Sequence, residues 1–140
     1  KCVNVKKGQF LSPEKMQLAV QKIEQTGNEN VLVTERGTTF GYERLINDMS
    51  ALEVMRGFAP VVFDATHSVQ HPGATGETTG GARRFIPLLA RAAVAAGIDA
   101  LFLEVHDDPP RAASDAATVW PLDQLDALLA SVAGIRAAVE

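Results

Sequence analysis

Pro60-Val61-Val62-Phe63-Asp64-Ala65-Thr66-His67 decides the fold. Its apolar residues run without alternation and stop on an acid, with an imidazole three residues further on. A run this short and continuous suits a strand covered on both faces, as in a parallel sheet. Three further runs rich in Val, Leu and Phe have the same character, at residues 2–6, 30–34 and 100–104. Segments of helical period lie between them. The first opens at Ser12-Pro13, where Ser can cap the orphan N–H groups and Pro tolerates the first helical position. It shows Met16, Val20 and Ile23 on one face and stops at Gly27. A second helix is expected over about residues 43–56, with Leu45, Ile46, Met49, Leu52 and Met55 inward and Gly57 closing it. A third is expected over about residues 81–96, where Pro87 either bends the helix or marks its true start. The last begins at Pro121 and carries Leu122, Leu125, Leu128, Leu129, Val132 and Ile135.

Strand and helix thus alternate four times, with strand starts about 30 to 40 residues apart, as repeated βα units require. The strands should be parallel. Right-handed crossovers leave two architectures, a doubly wound open sheet or a segment of a (β/α)8 barrel. Lys6-Lys7-Gly8-Gln9-Phe10 after the first strand is not a Gly-rich phosphate fingerprint, which weakens a nucleotide-binding reading.

Composition narrows the class. The 140 residues are 46% hydrophobic and 21% charged, with a net charge of −4, which describes one compact soluble domain. No apolar stretch approaches the roughly 18 residues of a membrane span. Seventeen acids against thirteen Lys and Arg, with no basic run, give no field for holding nucleic acid. The single cysteine, Cys2, allows no internal disulfide and suits a reducing cytoplasm. Cys2 is expected as buried filler rather than as a nucleophile.

In parallel α/β folds chemistry gathers at the carboxyl ends of the strands. Every expected strand here ends in ionisable residues: Lys6-Lys7, Glu35-Arg36, Asp64 with His67, and Glu104 with His106. Convergence on one cleft explains that better than four independent solvated ends. Lys6 and Arg36 on neighbouring strands could clamp a carboxylate or phosphate, Arg by its planar fork and Lys as a point charge, so an anionic substrate is expected. His67, Glu104 and Asp115 supply an imidazole and two carboxylates, a mixture that suits a divalent metal such as Mn²⁺, Fe²⁺ or Zn²⁺. Their spacing is no local ligand motif, and a hydrogen-bonded loop histidine with a turn aspartate is the alternative. The long connections at residues 68–81 and 107–121 are candidate lids. His71, in the first of these loops, and His106 are expected to be peripheral, and Trp120 to be core or subunit contact.

Four blocks then resemble one family, the 3-deoxy-D-manno-octulosonate 8-phosphate synthases (Kdo-8-phosphate synthases). They are Asn4-Val5-Lys6-Lys7-Gly8-Gln9-Phe10, Glu35-Arg36-Gly37-Thr38-Thr39-Phe40-Gly41-Tyr42, Phe63-Asp64-Ala65-Thr66-His67-Ser68-Val69-Gln70, and Leu103-Glu104-Val105-His106 followed by Ser114-Asp115. The likeness covers essentially the whole chain in order. It implies a (β/α)8 TIM barrel of which residues 1–140 form the C-terminal half, strands five to eight with their helices. It also implies condensation of phosphoenolpyruvate with arabinose 5-phosphate, releasing phosphate, on the way to lipopolysaccharide. By the same resemblance Lys6 and Arg36 hold phosphoenolpyruvate, and Lys6, His67 and Asp115 are catalytic. His67, Glu104 and Asp115 match three metal ligands of the metal-dependent branch. The fourth ligand of that branch is a Cys near the first barrel strand, where the metal-independent branch has Asn. That position is not in this sequence, and Cys2 is on the wrong strand to replace it. The Asp64 to Gln70 block and Ser114-Asp115-Ala116 resemble the metal-dependent branch. Gln70-His71-Pro72-Gly73 departs from the family's Gln-Leu-Pro-Gly at His71. A cytoplasmic homo-oligomer, a tetramer, is implied, with no nucleic-acid or membrane partner. Two alternatives remain at this point: the related 3-deoxy-D-arabino-heptulosonate 7-phosphate synthase, which uses erythrose 4-phosphate, and a non-catalytic half-barrel that serves as an assembly module.

Overall fold

The apolar runs pair in the order in which the chain presents them. The computed structural model describes residues 1–72 and 80–139. Strand β1 (Val3–Lys6) leads through a 3-10 turn at Pro13–Lys15 into helix α1 (Met16–Glu24). Ser12 is extended ahead of Pro13 as expected, although its hydroxyl makes no capping hydrogen bond among the described residues. Strand β2 (Val31–Glu35) follows.

The chain then departs from the expected pattern. Strands β3 (Thr38–Thr39) and β4 (Leu45–Ile46) form an antiparallel hairpin, and helix α2 is only Ser50–Arg56. Residues 43–49 are therefore not helical. Gly37, Gly41 and Glu43 take φ of 92°, 94° and 54°, values that turn the chain out of a right-handed helix. A Cβ on Gly37 would stand 2.9 Å from Leu45 Cβ, so glycine lets the hairpin close. Leu45 is buried as the helical pattern required, but a strand buries it.

Strand β5 (Val61–Asp64) is buried along its length. A 3-10 turn at His67–Val69 delivers β6 (Gln70–His71), which pairs antiparallel with β7 (Gly80–Gly81). His71 thus sits in a short strand, while residues 73–79 of the expected lid lie outside the described residues. Pro87 falls in the first turn of α3 (Ile86–Ala95), so it marks the start of that helix rather than a bend. Strand β8 (Ala100–Phe102) is followed by β9 (Val105–His106), which pairs parallel with β10 (Trp120–Pro121). Helix α4 (Leu125–Val139) closes the order.

Among the described residues the main sheet is parallel, in the order β1-β2-β5-β8. Each strand lies beside its predecessor, so right-handed crossovers put the intervening helices on one face. That face carries Val5, Val31, Val33, Val61 and Phe63. Against them pack Met16 and Val20 of α1, Leu52 and Met55 of α2, Ile86, Ala90 and Ala93 of α3, and Leu128 and Val132 of α4. Each large side chain buried there contributes about 1.5–3 kcal/mol of transfer free energy. The opposite face carries Asn4, Lys6, Thr34 and Asp64, with Thr34 Oγ1 donating to Asn4 Oδ1 at 2.6 Å. Cys2 is exposed, which corrects its expected burial: it precedes β1 and joins neither face. Trp120 is buried in the core as expected. No helix among the described residues is long and apolar enough to cross a membrane.

Candidate active site

Parallel strands carry their C-terminal residues to one end of the sheet, and the ionisable residues at those ends meet there. Lys6, the last residue of β1, reaches across β2 and donates from Nζ to Asp64 Oδ2 at 2.9 Å. Its ammonium also stands 4.4 Å from the centroid of the Phe102 ring, a cation–π contact. Phe102 is the last residue of β8 and the register partner of Asp64, so three strand ends fix where Lys6 points.

Asp64 is fully buried and organises the next step. Its Oδ1 accepts the His67 backbone N–H at 2.9 Å, and its Oδ2 lies 2.7 Å from His67 Nδ1. An ionised carboxylate can only accept, so Nδ1 donates to it and Nε2 is the ring nitrogen left for another partner. Burial pushes the Asp64 carboxyl up, but the hydrogen bonds from the His67 ring, the His67 N–H and the Lys6 ammonium outweigh it, and the net direction is down.

His67 Nε2 faces two carboxylates, 3.7 Å from Glu104 Oε1 and 3.9 Å from Asp115 Oδ2. The three residues offer ligand atoms within 4.8 Å of one another and are each half-buried. With metal–ligand bonds of about 2.0–2.2 Å, two donors on one ion stand about 3–4 Å apart. The two distances from Nε2 lie in that range, and the 4.8 Å limit for the set asks the side chains to draw in slightly around a single divalent cation. The electrostatics fit as well. A ring nitrogen facing two carboxylates calls for positive charge between them, a proton on the ring or a metal ion, and the carboxylate behind Nδ1 is the usual support of a metal-bound imidazole. The cluster could therefore hold a metal.

Glu104 is placed by its backbone N–H, which donates to the buried Thr66 Oγ1 at 2.8 Å. Asp115 lies in a turn with φ of 53°, a left-handed conformation that Asp tolerates. The Asp115 carbonyl accepts from the N–H groups of Thr118 at 2.7 Å and Val119 at 2.9 Å.

Arg36 follows β2 and enters from the other side. Its Nη2 donates to Gln70 Oε1 at 2.9 Å, whereas Nη1 is buried without a partner among the described residues. A buried guanidinium N–H left unpaired is costly, and an incoming anion would satisfy it. Lys7, paired with Lys6 in the sequence as a strand end, behaves differently. It points the opposite way along the pleat, is 1% exposed, and donates to Thr38 Oγ1 at 2.9 Å with Glu35 at 3.6 Å.

The structure thus brings His67, Glu104 and Asp115 together, joins Lys6 to them through Asp64, and joins Arg36 through Gln70. His106 stays apart, its Nδ1 accepting the Asp108 N–H. Sequence reasoning gave Asp64 no role beyond a strand end and missed Gln70. The signal for both was their distance from His67, three residues before and three after, one turn of 3-10 helix.

Residues 1–139 match the family described as the DAHP synthetase I family. The 2-dehydro-3-deoxyphosphooctonate aldolase of Koribacter versatilis (strain Ellin345) is 56% identical, covering 99% of this chain and 51% of that protein. The protein of the same name from Nitratidesulfovibrio vulgaris (strain DP4) is 56% identical over 95% of this chain and 49% of its own length. That from Stenotrophomonas maltophilia (strain K279a) is 58% identical over 92% and 47%. The chain spans about half the length of the curated relatives it matches. A match over residues 1–139 leaves one conclusion about descent: the chain belongs to the DAHP synthetase I family.

Proposed function

We propose that residues 1–140 are the C-terminal half of a (β/α)8 barrel and that the whole protein is a 3-deoxy-D-manno-octulosonate 8-phosphate synthase. Such an enzyme condenses phosphoenolpyruvate with arabinose 5-phosphate and releases phosphate, in lipopolysaccharide biosynthesis. The observation that carries the reading is an unsatisfied guanidinium and a metal-competent triad at one end of one sheet. The name shared by relatives at 56–58% identity supports it. Sequential strand order supports a barrel over a doubly wound sheet, whose order reverses at a switch point. Half-length coverage of those relatives supports four further βα units in the whole protein. In the same reading the protein is a cytoplasmic homo-oligomer, a tetramer.

In this mechanism Lys6 and Arg36 bind phosphoenolpyruvate and turn its C3 toward the aldehyde carbon, which removes much of the entropic cost of a two-substrate encounter. C3 attacks the aldehyde carbon, whose oxygen takes up a proton. Water adds to C2 and gives up a proton, and the C2–O bond to phosphate then breaks to leave the ketone. Carboxylates of Asp64, Glu104 and Asp115 favour the positive charge that develops at C2. A divalent ion such as Mn²⁺, Fe²⁺ or Zn²⁺, held by His67, Glu104 and Asp115, would polarise the aldehyde oxygen or acidify the attacking water. In this reading Lys6, His67 and Asp115 are the catalytic residues.

Assaying the whole protein with both aldose phosphates tests the assignment. Preference for arabinose 5-phosphate is expected. Preference for erythrose 4-phosphate moves the assignment to the 3-deoxy-D-arabino-heptulosonate 7-phosphate synthase, and no turnover with either sugar leaves an assembly module. The 140-residue chain assayed alone should be inactive; turnover without a second polypeptide refutes the half-barrel. Arg36→Ala should raise the KM for phosphoenolpyruvate about 10- to 100-fold, the loss of one charged hydrogen-bonding partner, and leave that for the sugar much less changed. Equal effects on both substrates would count against the clamp.

A further inference from the structure

We propose that Gln70 is a positioning residue that couples the anion clamp to the metal triad, so that filling either site strengthens binding at the other. The inference rests on the reading of those two sites given above. Gln70 is 8% exposed and bridges them with one side chain: Oε1 accepts from Arg36 Nη2, and Nε2 donates to Asp115 Oδ1. A guanidinium only donates and an ionised carboxylate only accepts, so the partners fix the amide in one orientation. Few side chains could do this. Glu would serve Arg36 and repel Asp115, Lys would serve Asp115 and repel Arg36, and a hydroxyl is too short to span both.

The backbone ties the same two regions together. Gln70 pairs with Gly81 across the β6–β7 hairpin. A Cβ on Gly81 would stand 2.1 Å from Thr118 Cγ2, so only glycine lets Thr118 pack against the hairpin. Thr118 in turn donates to the Asp115 carbonyl, and Arg83 Nη2 donates to the carbonyl of Ala116. The Asp115 turn is therefore held through both its side chain and its backbone, and Gln70 cannot move toward Arg36 without straining Asp115.

The sign of the coupling follows from polarisation. While Arg36 is unsatisfied, its charge draws electron density through the amide and makes Gln70 Nε2–H a stronger donor to Asp115. An anion on Arg36 neutralises that pull, the donor weakens, and the Asp115 carboxylate keeps more charge for a cation. By reciprocity a cation at the triad improves anion binding by the same factor.

The test is calorimetric titration of Mn²⁺ into the chelator-stripped whole protein, with and without saturating phosphoenolpyruvate, for wild type and Gln70→Met. Wild type should bind Mn²⁺ about tenfold or more tightly when phosphoenolpyruvate is present. In Gln70→Met, which keeps the volume and loses both hydrogen bonds, that factor should fall below about threefold, the remainder being direct attraction between anion and cation. A purely structural role would weaken both ligands and leave the factor unchanged. Should Gln70→Met fail to fold, Gln70→Asn carries the same expectation, because an amide one methylene shorter holds only one partner. A variant factor within about twofold of wild type overturns the coupling, as does a wild type that binds both ligands with a factor of one. A wild type that binds neither ligand overturns the proposed function, and the inference with it, so the two failures read differently.

Discussion

His67→Ala should weaken divalent-metal binding to the whole protein by at least about 100-fold, and turnover should fall with it. Removing the imidazole deletes the neutral donor of the triad and leaves Glu104 and Asp115, two like charges, to hold the ion without the group that faces both of them. It also strips Asp64 of the ring donor at 2.7 Å. Asp64→Asn is the informative companion, because among the described residues the Asp64 side chain meets the site through His67 and Lys6. An amide there no longer holds the proton on Nδ1, and a loss of about 10- to 100-fold in metal affinity is expected, as for other groups that orient a metal-bound imidazole. Titration of chelator-stripped protein with Mn²⁺ or Zn²⁺ reads both effects without relying on activity. Metal affinity unchanged in His67→Ala, or full turnover in a metal-free preparation with chelator, would remove the metal from the assignment.

The sequence showed the strands better than the segments between them, for a physical reason. A continuous apolar run between turn residues has few alternatives once both faces are covered, so β1, β2, β5 and β8 fell where the runs fell. The stretch from Glu43 to Met49 had an equally good helical period, and it failed because the period records only which side chains go inward. Leu45 goes inward from a strand as readily as from a helix, and the positive φ at Gly37, Gly41 and Glu43 settles which it is. His67, Glu104 and Asp115 were legible as a possible cluster because an imidazole and two carboxylates at and beyond neighbouring strand ends have few structural uses in common, and the fold brings the three together. Lys6 rather than Lys7 was the residue expected at the clamp, and alternation along the pleat separates the two, turning Lys6 toward Asp64 and the strand ends and Lys7 into the protein beside Glu35. Gln70 was invisible for another reason. Its function lies in having one donor and one acceptor partner at once, and only the folded chain brings Arg36 and Asp115 to opposite ends of one amide.

Glu35→Ala should destabilise the fold by about 3–5 kcal/mol, the usual cost of removing one member of a buried ion pair. Glu35 is 2% exposed and Lys7 1%. Without the carboxylate the Lys7 ammonium keeps only neutral acceptors, Thr38 Oγ1 and the carbonyls of Gly8 and Leu11. The backbone N–H groups of Arg36 and Gly37 lose the oxygen they share, at 3.0 and 2.6 Å. Those two amides set the direction in which Arg36 leaves β2, so the substitution should also raise the KM for phosphoenolpyruvate. Lys7→Met combined with Glu35→Gln should recover most of the stability, because Gln still accepts from both amides and no charge is left buried. Urea unfolding of the three proteins measures this, and a double variant no better than Glu35→Ala would show that the charge pair is not the cause. Acidity supplies an independent check. Burial pushes the Glu35 carboxyl up further than Lys7 and the two amides pull it down, so the folded state holds the Glu35 proton more tightly than the unfolded state does. The stabilisation from that proton is fully present below the unfolded value near 4.5 and is lost as the pH rises through the higher folded value. Wild type should therefore gain stability relative to Glu35→Gln as the pH falls through that window. A gap that stays flat, or widens the other way, would mean that Lys7 and the amides dominate burial and that Glu35 is held as a permanent anion.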